Sequence, residues 1–340
     1  MNAQSLGLRT RLSYLVERAR GFDAASVVQR ARGAAAQHNK FTVAVLIDML
    51  YSAGFKDTAF QDYVDWDFAI LTSAERATYM THPISHHLAQ KFDAPAHRVL
   101  FQDKLEFNRT FDAFLGREWL DVTAATDADI RTFVQKHKRV MGKVPVSTSG
   151  HGVERYEAQQ IEDWDGLRAL MLGKGQTLLE EYITQHPVLA EICPGTANTT
   201  RITTFFDGST THILSIAQKF GRGAASDQQT YGGFYTMLDA DGHSRGPGYD
   251  SHDGNHPTHP ESGVSIIDFQ LPLMTELRDF MDAVARVVPD MQYIGWDIVM
   301  GESGPVLVEG NWAAGVYDNK PSITGIRTGT LPAFRAAIGF

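Results

Sequence analysis

Apolar positions follow a helical period at the front of the chain and a strand period behind it. Residues 5 to 37 predict helix, because Leu12, Leu15 and Val16 recur at helical spacing among arginines and an alanine-rich stretch follows. The run Phe41 to Met49 (FTVAVLIDM) is continuously apolar, so it is a strand or a buried helix, and Gly54 ends it. Residues 58 to 115 read as mainly helical, with interruptions at Pro83 and Pro95. Near residue 138 the texture changes. KRVMGKVPVSTSGHGVERY predicts a strand, a polar glycine-bearing turn and a second strand. Residues 163 to 175 suit a short helix, and QTLLEEYI a buried strand. RITTFF and THILSIAQKF, joined at Asp207-Gly208, predict a hairpin, and GGFYTML another strand. Residues 239 to 265 are rich in Gly, His, Pro, Asp and Ser and predict a long loop, a feature often tied to function in compact enzymes. Residues 273 to 288 give the clearest amphipathic helix. The strands QYIGWDIVM and PVLVEGN follow it. The expected class is α+β, helical in front and antiparallel behind.

Composition narrows the picture. A chain of 340 residues exceeds what one core comfortably organises, so more than one lobe is expected. The net charge of −9 argues against a general nucleic-acid binder, which would carry a basic face. A single cysteine, Cys193, rules out an internal disulfide and suits a reducing compartment. The first residues lack the unbroken apolar core of a signal peptide, and no stretch approaches the roughly 20 apolar residues that span a bilayer. The expectation is a cytoplasmic protein with neither a nucleic-acid nor a membrane partner.

The most informative segment is Tyr293 to Asn311, where Asp297, Glu309 and Asn311 interrupt otherwise apolar strands. A buried carboxylate needs a cation or a dense set of donors. Glu309 and Asn311 share a strand face. A three-residue Glu302-Ser303-Gly304 loop would set Asp297 directly opposite Glu309, whereas a two-residue loop would put them on opposite faces. The three-residue loop is favoured, because it gathers three hard oxygen ligands of the kind magnesium takes. An edge hairpin with solvated acids is the bland alternative.

Other residues gain weight only together. Lys143 lies in an apolar run, VMGKVPV, and must reach a partner or snorkel. The turn from Ser147 to Gly152 offers backbone amides that suit phosphates, although such turns usually just connect strands. Lys104 reads by itself as a helix-surface lysine. Glu180, Glu181, Tyr182 and Ile183 end an apolar strand, as the edge of an adenine pocket would, or as a strand emerging into solvent would. Arg201, Lys219 and Arg222 sit at strand ends, where they would converge on phosphate or carboxylate oxygens or remain surface charge. His252, His256 and His259 invite a zinc reading, but their spacing matches no standard site, and a substrate-facing loop is favoured.

In this order the pieces resemble the ATP-grasp superfamily, in its sugar-transfer-associated or glutamate-ligase-like branch. The matching elements are DK at 103–104, Lys143 with its turn, EEYITQHP at 180–187, NTTR at 198–201, GR at 221–222, YGG at 231–233 and GWDIVMGESGPVLVEGN at 295–311. The resemblance covers about residues 95 to 325. It implies an ATP-grasp fold, two α+β lobes gripping ATP, with a helical and reduced N-terminal lobe at 1–100, a small lobe at 101–183 and a large lobe at 184–340. The front lobe departs from the pattern in lacking a βαβ unit with a glycine-rich turn. The resemblance further implies that Lys104 and Lys143 contact ATP phosphates, with Ser149 and Gly150 in the lid turn. Glu180, Glu181, Tyr182 and Ile183 would cradle adenine, and Glu191 or His186 would bind ribose. Arg201 would touch phosphate and Arg222 would steady the acyl-phosphate or tetrahedral intermediate. Asp297, Glu309 and Asn311 would hold Mg2+, with Mn2+ able to stand in. The implied activity is a carboxylate–amine ligase acting on small molecules. The sequence does not fix the oligomeric state, and a homodimer is expected only as the commonest arrangement of soluble enzymes. A phosphotransferase and a non-catalytic nucleotide sensor are the alternatives.

Overall fold

The structure is a computed structural model that describes residues 23–147, 151–224, 226–252 and 254–340. The expected helix before Asp23 lies outside these residues. The chain divides into two compact units, one made of the described residues up to Asp93 together with Ala313–Phe340, the other of Ala94–Trp312. The sequence had suggested one lobe from 184 to 340; the last 28 residues instead pack with the helical front.

The first unit is helical. Helix Ala24–Gln37 starts at Asp23, whose side chain accepts the Ala25 N–H and satisfies an otherwise orphaned donor. Thr42–Phe55 is helix, not strand, which settles the ambiguous FTVAVLIDM run. The run exceeds strand length, and Val45, Met49 and Ser52 fall on one buried stripe at helical spacing. Val27, Ala31, Tyr63, Trp66, Phe68 and Tyr79 complete this core. Pro83 and Pro95 each occupy the first turn of a helical segment, where a missing N–H costs nothing, so they open elements that the sequence reading had them interrupt. Lys320 Nζ donates to Asp67 Oδ1 at 3.1 Å, and Thr330 and Met80 N–H groups donate to Asp318, tying the returning C-terminal segment to its own unit.

The second unit contains two antiparallel sheets. Strands β1 (Trp119–Asp121), β2 (Arg139–Lys143), β3 (Val153–Glu157) and β4 (Leu178–Glu181) form a four-stranded sheet in the order β1-β4-β2-β3. Helices Asp127–His137 and Leu167–Gly173 cover it, burying Val122, Ile130, Val134, Val140, Met171 and Leu179. The larger sheet comprises β5 (Thr199–Phe206), β6 (Thr211–Phe220), β7 (Phe234–Leu238), β8 (Gly248–Tyr249), β9 (Asn255–His256), β10 (Tyr293–Gly301) and β11 (Gly304–Asn311). Their order is β11-β10-β5-β6-β7-β8-β9. The expected long loop thus contributes two short edge strands. Helix Met274–Ala285 packs on this sheet through Leu277, Met281 and Val284, each worth about 1.5–3 kcal/mol when fully buried. No described helix is long and apolar enough to cross a membrane.

Candidate active site

One row of side chains runs across four neighbouring strands of the large sheet. Glu309 on β11 stands opposite Asp297 on β10, Asp297 opposite Arg201 on β5, and Arg201 opposite Ala217 on β6, with Lys219 two residues further on the same face. The row reads acid, acid, base, base. Arg201 grips Asp297 with both nitrogens, Nε at 2.9 Å from Oδ1 and Nη2 at 3.0 Å from Oδ2. Lys219 Nζ adds a contact at 3.1 Å to Oδ1 and lies 3.7 Å from Asp227 Oδ1. Burial alone would raise the Asp297 pKa, but the charges of Arg201 and Lys219 more than offset it and hold the carboxyl well below its usual range. Glu309 behaves oppositely. Burial and then the charge of Asp297 push its carboxyl up, and it has no hydrogen bond or ion pair among the described residues.

The facing of Asp297 and Glu309 has a different origin from the one expected. The hairpin loop is two residues long, Glu302-Ser303, with Gly301 paired to Gly304. Gly304 has φ +142°, a region that L side chains rarely adopt. That register alone would set Asp297 opposite Val308 and turn Glu309 to the other face. A β-bulge between Asp297 and Ile298 shifts the pairing by one residue and returns Glu309 to the face of Asp297.

The opposite wall of the cleft comes from the small sheet. Lys143 and Glu180 pair across β2 and β4, and Glu180 also accepts from Arg117 Nη2 at 2.7 Å and Asn108 Nδ2 at 2.8 Å. Burial opposes ionisation of Glu180, yet the charges of Arg117 and Lys143 win and hold its carboxyl far below the usual range. Arg117 reaches the large sheet as well, donating to the Leu307 carbonyl at 2.6 Å. Lys104, at the start of helix Lys104–Phe111, donates to Ser147 O at 2.8 Å. Burial lowers its pKa, and Glu309 is the largest opposing influence. The cleft holds about 890 Å3 of space, open solvent included, within the range of small-molecule sites. Lys104, Lys143, Glu180, Glu181, Tyr182, Ile183, Asp297 and Glu309 all line it.

Other expected residues stand elsewhere. Glu191 is exposed on helix Pro187–Ile192 and does not line the cleft. Arg222 is partly exposed and bonded to Glu261 through Nε at 2.6 Å, outside the cleft lining. Arg201 does not line it either; its guanidinium is spent on Asp297. Ser149 and Gly150 lie outside the described residues. Asn311 sits two residues past Glu309, its Nδ2 3.4 Å from Gly295 O. Among the described residues no group of three or more His, Cys, Asp or Glu is placed to hold a metal. His256 instead bonds Asp250, and buried His259 donates from Nε2 to Gly221 O at 2.8 Å.

A family model described as "Sugar-transfer associated ATP-grasp" matches residues 134–326, more than half of the chain. The chain belongs to this family. Similar solved structures include the ATP-grasp ligase PsnB complexed with minimal precursor, at 13% identity, TM-score 0.39, and coverage of 69% of this chain and 60% of that one. D-cycloserine synthetase DcsG is similar at 14% identity and TM-score 0.44, covering 76% and 77%. D-alanine–D-alanine ligase from Bacillus anthracis is similar at 14% identity and TM-score 0.40, covering 75% and 70%. The chain therefore spans less than two thirds of the length of PsnB. Among curated proteins, no sequence match was found.

The donor set in this chain fits magnesium. Two carboxylates face one another with an amide two residues along. Glu309 carries a raised pKa beside a like charge, a repulsion that a divalent cation relieves. Sequence reasoning had left Lys219 among several surface cations and had passed over Arg117, Asn108 and Asp227. A signal for Lys219 was available: like Arg201, it interrupts a hairpin of apolar and uncharged residues. Nothing in the sequence ties Arg117 to Glu180, 63 residues away.

Proposed function

We propose that this ATP-grasp protein is a ligase that joins a small-molecule carboxylate to an amine at the expense of ATP. The observation that carries this reading is the Asp297–Glu309 carboxylate pair on one wall of a cleft that also holds Lys104 and Lys143. Paired acids with nearby lysines suit a metal-bound polyphosphate, and the cleft admits a nucleotide beside a second, small ligand.

In this account Asp297, Glu309 and Asn311 hold magnesium, which supplies charge neutralisation at the phosphates. Lys104 and Lys143 bind and orient the phosphate chain. The backbone of Glu181 to Ile183 reads adenine; Glu181 and Tyr182 N–H groups already donate to Glu118 O and Arg139 O, so recognition falls on the rest of that segment. Arg201 and Lys219 position Asp297. A carboxylate oxygen of the acid attacks the γ-phosphorus, the bond to ADP breaks, and an acyl phosphate forms. The amine nitrogen then attacks the carbonyl carbon, phosphate leaves with the C–O electron pair, and the amine proton passes to solvent. The protein's part is positioning and electrostatics. No side-chain nucleophile is needed, and Cys193 is buried.

The test is a phosphate-release assay with Mg–ATP and pools of acids and amines, presented singly and in pairs. Release that requires a pair and is lost in Glu309→Ala supports the ligase. Release with a single hydroxyl-bearing compound, without amine dependence, makes the protein a phosphotransferase instead.

A further inference from the structure

Helix Thr42–Phe55 in the first unit is apolar on both sides. Its inner stripe is buried. Its outer side carries Val43, Ile47, Leu50, Tyr51 and Phe55, exposed by 46–68%, and Phe41 just before it is 86% exposed. At about 100° per residue, Leu50, Val43, Gly54, Ile47, Tyr51, Ala44 and Phe55 fall in one continuous arc of about 140°. No charge interrupts it. Asp48, the helix's charged residue, borders the arc with its side chain 36% exposed and is neutralised by Arg76 at 2.7 Å, while also accepting from the Tyr63 hydroxyl at 2.6 Å. A helix that is apolar all round is ordinarily buried, and so wide an exposed apolar face marks a contact surface.

We infer that this face docks on an anionic lipid surface, with the helix lying in the interface plane. Three observations select lipid over protein. Exposed Lys40 and Lys56 flank the two ends of the stripe, where they would meet acidic headgroups. The Tyr51 and Phe55 rings lie 5.3 Å apart, tilted by 31°, beside Lys56, whose Nζ is 5.9 Å from the Tyr51 ring, the aromatic and basic pairing found at membrane interfaces. The side chains of the arc present one polar group, the Tyr51 hydroxyl, whereas protein interfaces carry a polar rim. A second copy is disfavoured on charge, because two-fold pairing along the helix brings Lys40 against Lys40 or Lys56. At 14 residues the helix is about 21 Å long, too short for the ~30 Å hydrocarbon core, so it lies on the bilayer.

The test uses the full chain in flotation with phosphatidylcholine vesicles, with and without a minor fraction of phosphatidylglycerol. Co-flotation with the anionic vesicles alone is expected, weakened about fivefold by each of Lys40→Gln and Lys56→Gln and at least tenfold by Ile47→Glu. Both lysines and Ile47 are exposed, so folding is retained and is checked by the melting curve. A polarity-sensitive fluorophore on Ile47→Cys separates the other occupants. Emission that is wet in buffer and dry on anionic vesicles supports lipid docking. Emission already dry in buffer and dependent on protein concentration overturns it in favour of a second copy. Emission dry at every concentration overturns it in favour of cover from residues 1–22. Absence of flotation with either vesicle refutes it.

Discussion

Glu180 lies at the centre of a buried ion cluster between the two sheets, and its replacement gives the sharpest stability prediction. Its carboxylate is 2% exposed and meets Arg117, Asn108 and Lys143; the Arg117 side chain is equally buried. Glu180→Gln keeps the shape and removes the charge. Arg117 then loses its counter-ion but keeps its bonds to Leu115 O and Leu307 O. Removing one partner of such a pair leaves an uncompensated buried cation and costs about 3–5 kcal/mol. The charges of Arg117 and Lys143 hold the Glu180 carboxyl ionised despite burial, so the loss has full effect at neutral pH. Urea unfolding of the full chain, followed by tryptophan fluorescence, measures it. Arg117→Met and the double variant complete a cycle, and the double variant is expected to fall short of the summed losses by about 2–3 kcal/mol. Exposed Glu191→Gln serves as the control, with a change within about 0.5 kcal/mol. If Glu180→Gln costs no more than that control, or the cycle is additive, the ion cluster does not link the two sheets.

Two further perturbations bear on the rest of the molecule. A Cβ at Gly310, between Glu309 and Asn311, would stand 2.8 Å from a Phe101 ring carbon and 2.9 Å from one of Trp296. Gly310→Ala is therefore expected to cost about 1–3 kcal/mol by overpacking and to weaken Mg–ATP binding; an unchanged melt refutes the packing. In the first unit, burial pushes the Asp318 carboxyl up to about 6. Its folded pKa exceeds the unfolded value, so its stabilising contribution is complete at low pH and is lost as pH rises through about 6. Wild type should lose about 2 kcal/mol relative to Asp318→Asn between pH 4 and pH 7, and a pH-independent difference would sink the assignment.

The long elements were legible because period and composition agree. Helix Met274–Ala285 and the hairpin of β5 and β6 follow from apolar spacing and from the Asp207-Gly208 turn. Helix Thr42–Phe55 was not legible as helix, since a face apolar on both sides hides its period. The acids of β10 and β11 were visible as charges in apolar strands, but their register was not. A two-residue loop and a bulge together give the facing that a three-residue loop would have given, and a bulge leaves no mark in periodicity. Glu180 looked like a strand emerging toward a ligand because its partners Arg117 and Asn108 come from distant sequence. Such pairings are tertiary facts that local pattern does not carry.

Asp297 and Glu309 are the proposed metal–nucleotide site, and thermal stabilisation by a non-hydrolysable ATP analogue tests this without knowing the acid or the amine. Measured with magnesium and with chelator, at about a hundred times the dissociation constant, the wild type should gain about 2.7 kcal/mol only when magnesium is present. Glu309→Ala should lose the magnesium-dependent part. An equal, magnesium-dependent gain in wild type and Glu309→Ala would contradict the account.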